Sequence, residues 1–217
     1  MNPKARFLLP SFFTLLLILS PLGALAEAPE FIQTQADFEQ GLRGDSDAVG
    51  RAYPGFQKLV KEYPDNPLYL AYLGANETLI ARDSYAPWTK IRYLDRGLDH
   101  VDKALAMLEP QHDTQTERLS IISMETRLVA LSTFMKVPSF ANRFQDARDL
   151  FDESLEQAVF HKAPPEVRQR IYLQGADIAA EEKDTATEIK RLEKALSILP
   201  SGYYADHIRQ RLASLKH

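Results

Sequence analysis

The sequence has no cysteine, a single tryptophan and no excess of positive charge. Without cysteine there are no disulfide staples, no thiolate metal sites and no thiol catalysis, so stability rests on packing alone in any compartment. With 26 Lys and Arg against 30 Asp and Glu, the formal charge is −4 at pH 7, which argues against nucleic acid as a partner. Runs of alternating apolar and polar residues are missing, which removes half-buried strands as the main element. Beyond the first 26 residues no apolar run approaches the roughly 20 residues needed to cross a bilayer. The five histidines, His100, His112, His161, His207 and His217, lack a second histidine three or four residues away, so no helical metal pair exists and each reads as a surface residue. No G-x-S-x-G, phosphate loop or dinucleotide fingerprint occurs, and the near pair Asp99 and Asp102 reads as a solvated helix face. No catalytic residue, metal or cofactor is therefore expected.

The first residues form a different kind of segment. Lys4 and Arg6 make a short basic region, residues 7–19 are largely apolar, and Ala24-Leu25-Ala26 is a small-x-small cleavage site before Glu27. The apolar stretch is short for a membrane span and carries Pro10, with Ser20, Pro21 and Gly23 directly after it. Residues 1–26 are expected to be a cleaved secretory signal peptide, and 27–217 a single exported, periplasmic domain. Cleavage removes Lys4 and Arg6 and no acidic group, leaving 24 basic against 30 acidic residues and a formal charge of −6.

From residue 34 onward the apolar residues are spaced for helices. Ile189, Leu192, Leu196 and Leu199 recur at three and four, as a helix face requires. Prolines 64, 67, 87, 110, 164, 165 and 200 punctuate the chain. Thr114 with Glu117, and Thr185 with Glu188, fit the capping box in which each side chain satisfies an N–H at a helix start. These signals predict nine helices, at 34–42, 46–63, 67–82, 88–109, 114–133, 143–160, 165–181, 185–199 and 203–215. Paired in order, they form an all-α array of about four helix hairpins and a C-terminal capping helix, in which Ile208, Leu212 and Leu215 face inward. Asn76-Glu77-Thr78 matches a glycosylation sequon but falls inside a predicted helix.

One phrase recurs: Ala52-x3-Phe56, Pro64 and Leu70-x2-Leu73-Gly74, then Ala147-x3-Phe151, then Gly175, Leu192-x2-Ala195-Leu196 and Pro200. It resembles the tetratricopeptide repeat, in which a small residue and an aromatic on one helix meet a Leu-Gly pair on the next and proline ends the unit. Leu70 and Glu77 stand where the family often has Trp and Tyr, and Gln174 replaces a usual Leu. The unit-ending prolines 64, 110, 164 and 200 lie 46, 54 and 36 residues apart, so the middle two units carry insertions relative to a period of about 34. Residues 86–104 also resemble exported bacterial proteins of unknown function. The resemblance implies a superhelical stack with a binding groove lined by the first helix of each pair. The family's carboxylate clamp is missing: Ala71 and Ala75 flank Gly74, and Tyr172 and Ala176 flank Gly175, at its positions.

The insertions hold the candidate binding residues. Residues 82–96 contain Tyr85 and Trp88 among four basic and two acidic residues, including Lys90 and Arg92, which suits an aromatic and cationic contact for a peptide or an anion. The other use of Tyr85 and Trp88 is to plug the gap of a longer turn, the ordinary role of a large aromatic. Residues 136–143 hold Phe140, with Phe144 just after. Both insertions join the helices within a unit, so they are expected along one edge, where partners dock or the two loops pack together. Tyr172 joins the candidates on the groove. The expected function is a non-enzymatic protein–protein interaction module of the bacterial envelope, with an unidentified protein or peptide, within an envelope or transporter complex, as partner. The alternative is a binding protein for a small anionic or peptidoglycan-derived ligand, and a homo-oligomer is compatible with either.

Overall fold

Asp45, Asn66 and Asp184 each start a helix by accepting a hydrogen bond from a first-turn N–H, that of Ala48, Leu68 and Thr187 respectively, all at 3.0 Å. Pro67, Pro87 and Pro165 occupy first-turn positions, where the missing N–H costs nothing. The computed structural model describes residues 29–215. The expected signal peptide, Lys216 and His217 lie outside the described residues.

The chain is all-α. Its helices are α1 (Pro29–Leu42), α2 (Ser46–Glu62), α3 (Pro67–Asp83), α4 (Pro87–Ala106), α5 (Ile122–Lys136), α6 (Phe144–Glu156), α7 (Pro165–Glu181), α8 (Thr185–Ile198) and α9 (Tyr203–Leu215). Nine helices among the described residues match the number and order expected. Each packs on its sequence neighbour, and the odd-numbered helices also meet one another, α3 with α5 and α5 with α7. Among the described residues no helix is long and apolar enough to cross a membrane.

Two capping expectations are corrected. The helix predicted from residue 114 begins at Ile122. Before it come a 3-10 turn over Pro110–Asp113 and an antiparallel pair, Thr116–Glu117 (β1) with Ser120–Ile121 (β2). The turn between them puts Arg118 (φ 47°) and Leu119 (φ 64°) in the left-handed region, the geometry that matches strand twist in a two-residue hairpin. Glu117 does not cap a helix because it is buried, accepting from the Tyr69 hydroxyl at 2.9 Å. His112, expected at the surface, is buried too, its Nδ1 accepting from the Glu109 N–H at 2.9 Å and closing the 3-10 turn. At α8 the cap is Asp184 rather than Thr185, and Glu188 turns inward to the Arg211 Nε, 2.7 Å away.

The core lies in three apolar clusters arranged in chain order. The first joins α1, α2 and α3 around Phe38, Phe56 and Tyr72, with Ala104 of α4 and Ile122 and Val129 of α5 packed onto it, and its Phe56 and Tyr72 rings stack at 5.5 Å. The second runs from Ala81 near the end of α3 to α7 around Met124, Leu128 and Phe151. The third joins α7, α8 and α9 around Leu192 and Ile208. Ile208 and Leu212 of α9 are buried, while Asp206 and Arg209 face water, as a terminal helix requires. α2 buries a single stripe, Ala48, Val49, Ala52, Phe56 and Leu59, whereas α3 is buried on nearly every side from Pro67 to Glu77. Asn76, the sequon residue, is fully buried and donates to the Val49 carbonyl at 3.2 Å, so it is closed to glycosylation.

Candidate functional site

The face made by the odd-numbered helices carries a polar centre. Tyr72 of α3 accepts from Gln35 Nε2 of α1 at 2.7 Å and donates to Glu125 Oε1 of α5 at 3.1 Å. Ser120 donates to the other Glu125 oxygen at 3.0 Å, and an Arg170 terminal nitrogen of α7 lies 3.7 Å from Oε1. Burial, with the Glu125 charge beside it, pushes the Tyr72 hydroxyl well above the usual tyrosine range; Arg170 opposes this. Arg118 of the β1–β2 turn donates to Gln35, tying that hairpin to α1.

A cavity lies on either side of this centre, with Arg170 in the wall of both. One, of about 150 Å³, is lined from α1, α3, α5, α7 and α9, by Phe38, Tyr72, Val129, Lys136, Leu173 and Tyr204 among others. The second, of about 420 Å³, opens beside the hairpin and carries Glu117, Arg118, Leu119 and Glu166. A third, of about 410 Å³, shares Leu42, Thr78, Leu79 and Lys136 with the first and extends to Arg82, Lys90 and Leu94 on one side and Val137 and Pro138 on the other. The two insertions named from the sequence thus line one cleft. Burial lowers the Lys136 amine below the ordinary lysine value; Arg170 and Arg82 add to this and Asp177 counters it.

Of the residues singled out from sequence, Lys90 lies in this cleft. Tyr85 (102% exposed) and Trp88 (74%) stand in solvent at the α3–α4 connection, and Phe140 (70%) does so between α5 and α6. Their use as gap-filling or mutually packed aromatics is therefore overturned: the turn is closed by backbone and by Ser84 Oγ, which donates to the Ile80 carbonyl at 2.7 Å. Arg92 is exposed with its guanidinium 5.6 Å from the Tyr93 ring centre, and Phe144 is partly exposed at the start of α6. Tyr172 packs against Phe151 and Phe160 and lines a separate cleft of about 680 Å³ with Lys190, Arg191 and Lys194. Ala71 and Ala176 are fully buried, and Ala75 reaches the first cavity.

Tyr72, Glu125, Lys136 and Arg170 carry no local sequence signal that marks them as site residues. Lys136 was visible only as the start of an insertion, and nothing in one dimension joins it to Lys90 or Arg170. Among the described residues no group of three or more His, Asp or Glu side chains is placed to hold a metal ion. No protein-family model, curated protein or solved structure matches the chain.

Proposed function

We propose that the chain is an exported, tetratricopeptide-like, non-enzymatic binding module of the bacterial envelope that holds a protein segment against its odd-numbered helices. The observation that carries this reading is the pair of cavities either side of the Tyr72–Glu125–Arg170 centre, to whose walls all five odd-numbered helices contribute. Stacked hairpins bury their apolar faces on one another and leave such a surface for a partner. Trp88 and Phe140, exposed on the two connections whose neighbouring residues line the third cavity, offer aromatic anchors of the kind that dominate protein interfaces. The test is capture from envelope extract by residues 27–217: the reading requires proteins enriched over a Trp88→Ala, Phe140→Ala variant and lost again with Arg170→Glu. Export is checked separately by the mass of the secreted chain, expected to begin at Glu27.

A second reading is a binding protein for a small anionic ligand. It is favoured by the basic residues Arg82, Lys90, Lys136 and Arg170 along the joined first and third cavities. The fluorescence of Trp88, two residues before Lys90, is its simplest readout.

A further inference from the structure

The first and third cavities meet where the ends of α1, α3 and α5 approach the start of α4. Leu42, Thr78, Leu79 and Lys136 belong to both walls, so the two make one trough. Its lining is largely apolar, with Leu94 and Val137 at one end, Leu79 in the shared middle, and Val129 and Leu173 at the other. Its charged groups are all basic: neither cavity is lined by an aspartate or a glutamate.

Two of these cations are already engaged. Arg82 holds Asp83 at 2.7 Å and donates to the Gly41 carbonyl at 3.1 Å, and Arg170 leans on Glu125. Lys90 and Lys136 have no carboxylate within 4.0 Å among the described residues. On a chain of net charge −4, two lysines with no carboxylate in contact beside an apolar floor complement an anion with an apolar body. The larger cavity, about 410 Å³, falls in the range of small-ligand sites, roughly 300–1,000 Å³.

We propose that this trough binds a small amphipathic carboxylate, an aliphatic chain with one anionic head. Lys90 and Lys136 hold the head, and the chain lies along Leu79 toward Val129. The proposal rests on the small-ligand reading above and names its chemical class. Arg82, fixed by Asp83, shapes the wall and adds positive potential without moving.

The test is isothermal titration of residues 27–217 with sodium decanoate kept below its micelle concentration. Saturable one-site binding is expected, roughly tenfold tighter than octanoate because two more methylenes leave water. 1-Decanol is expected to bind about tenfold more weakly than decanoate, since only the carboxylate forms charge-assisted bonds. Lys90→Gln with Lys136→Gln should weaken decanoate by about tenfold or more, while Lys90→Arg with Lys136→Arg retains it. Lys162→Gln, an exposed lysine on another turn, should change nothing. Decanol binding as tightly as decanoate overturns the proposal, as does undiminished binding by the folded double-Gln variant or the absence of saturation. If N-acetylmuramic acid binds and decanoate does not, this proposal falls and the small-anion reading stands. If both fail, both fall.

Discussion

Gly97 of α4 faces Gly74 of α3 so closely that a Cβ on Gly97 would stand 2.7 Å from the Gly74 carbonyl oxygen, and one on Gly74 would stand 2.5 Å from that of Gly97. The obstructing atoms are backbone, so neither can swing aside. Gly97→Ala gains about 1 kcal/mol in helix propensity but incurs overpacking of about 1–3 kcal/mol or more. At this distance the second effect wins, and a net loss of about 2 kcal/mol is expected in urea unfolding. Gly50→Ala is the counterpart in α2, where an added Cβ meets nothing within 4 Å; a gain of about 0.5–1 kcal/mol is expected there.

Glu77 of α3 is 1% exposed at its side chain, yet its partners reach water. Arg96 Nε lies 2.7 Å from Oε1, His100 Nδ1 2.8 Å from Oε2, and Tyr53 donates to Oε1 at 3.3 Å. The two halves of this group should therefore respond unequally. Arg96→Leu leaves the buried carboxylate without its guanidinium and is expected to cost about 3 kcal/mol, whereas Glu77→Leu leaves the half-exposed Arg96 to water and should cost less than about 1 kcal/mol. Equal losses in paired denaturant melts would refute this asymmetry.

Arg211 fastens α9 to the two helices before it. Its Nε meets Glu188 at 2.7 Å, one terminal nitrogen meets Asp177 at 2.5 Å, and the other donates to the Ala176 carbonyl at 3.3 Å. Glu188 is buried, so Arg211→Ala leaves it without its cation, at a cost of about 3 kcal/mol. Hydrogen exchange should quicken first in α8 and α9.

Lys136 supplies a pH dependence. Its folded-state pKa lies below the 10.5 of an unconstrained lysine, with burial the leading cause. Between those two values the unfolded chain keeps a proton that the folded chain has released, so stability rises with pH across that interval. Below it, the folded state bears the cost of the charge. Lys136→Gln should melt higher than the parent at pH 7, with an advantage that shrinks as pH approaches 10.5. An advantage that grows with pH would reverse the assignment.

Helix number and order were legible because their signals are local: a proline, an Asx cap or a three-four apolar spacing acts within a few residues. Where a signal depended on distant chain, it misled. Glu117 looks like the far half of a capping box, but Tyr69, 48 residues away, takes it into the core. Asp184 and Thr185 can both cap, and it is the Asp184 carboxylate that takes the Thr187 N–H. Gly74 was legible as a point of close approach, though its partner is Gly97 of α4 rather than Ala52 of α2. Of the basic residues in the trough, Lys90 stood out beside Trp88. Lys136 and Arg170 join it only through the stacking of three hairpins, which no short spacing encodes.

The three apolar clusters are strung in chain order, and α7 alone supplies buried residues to both the second and the third. A body built this way has two ends and no single keystone. Damage at α9 is therefore expected to spread through the third cluster to α8 and to stop at α7, leaving α1–α6 and the Lys90 end of the trough standing. A protease should meet the carboxyl-terminal hairpin as a fuse: cut first, and the remainder of the protein survives the cut.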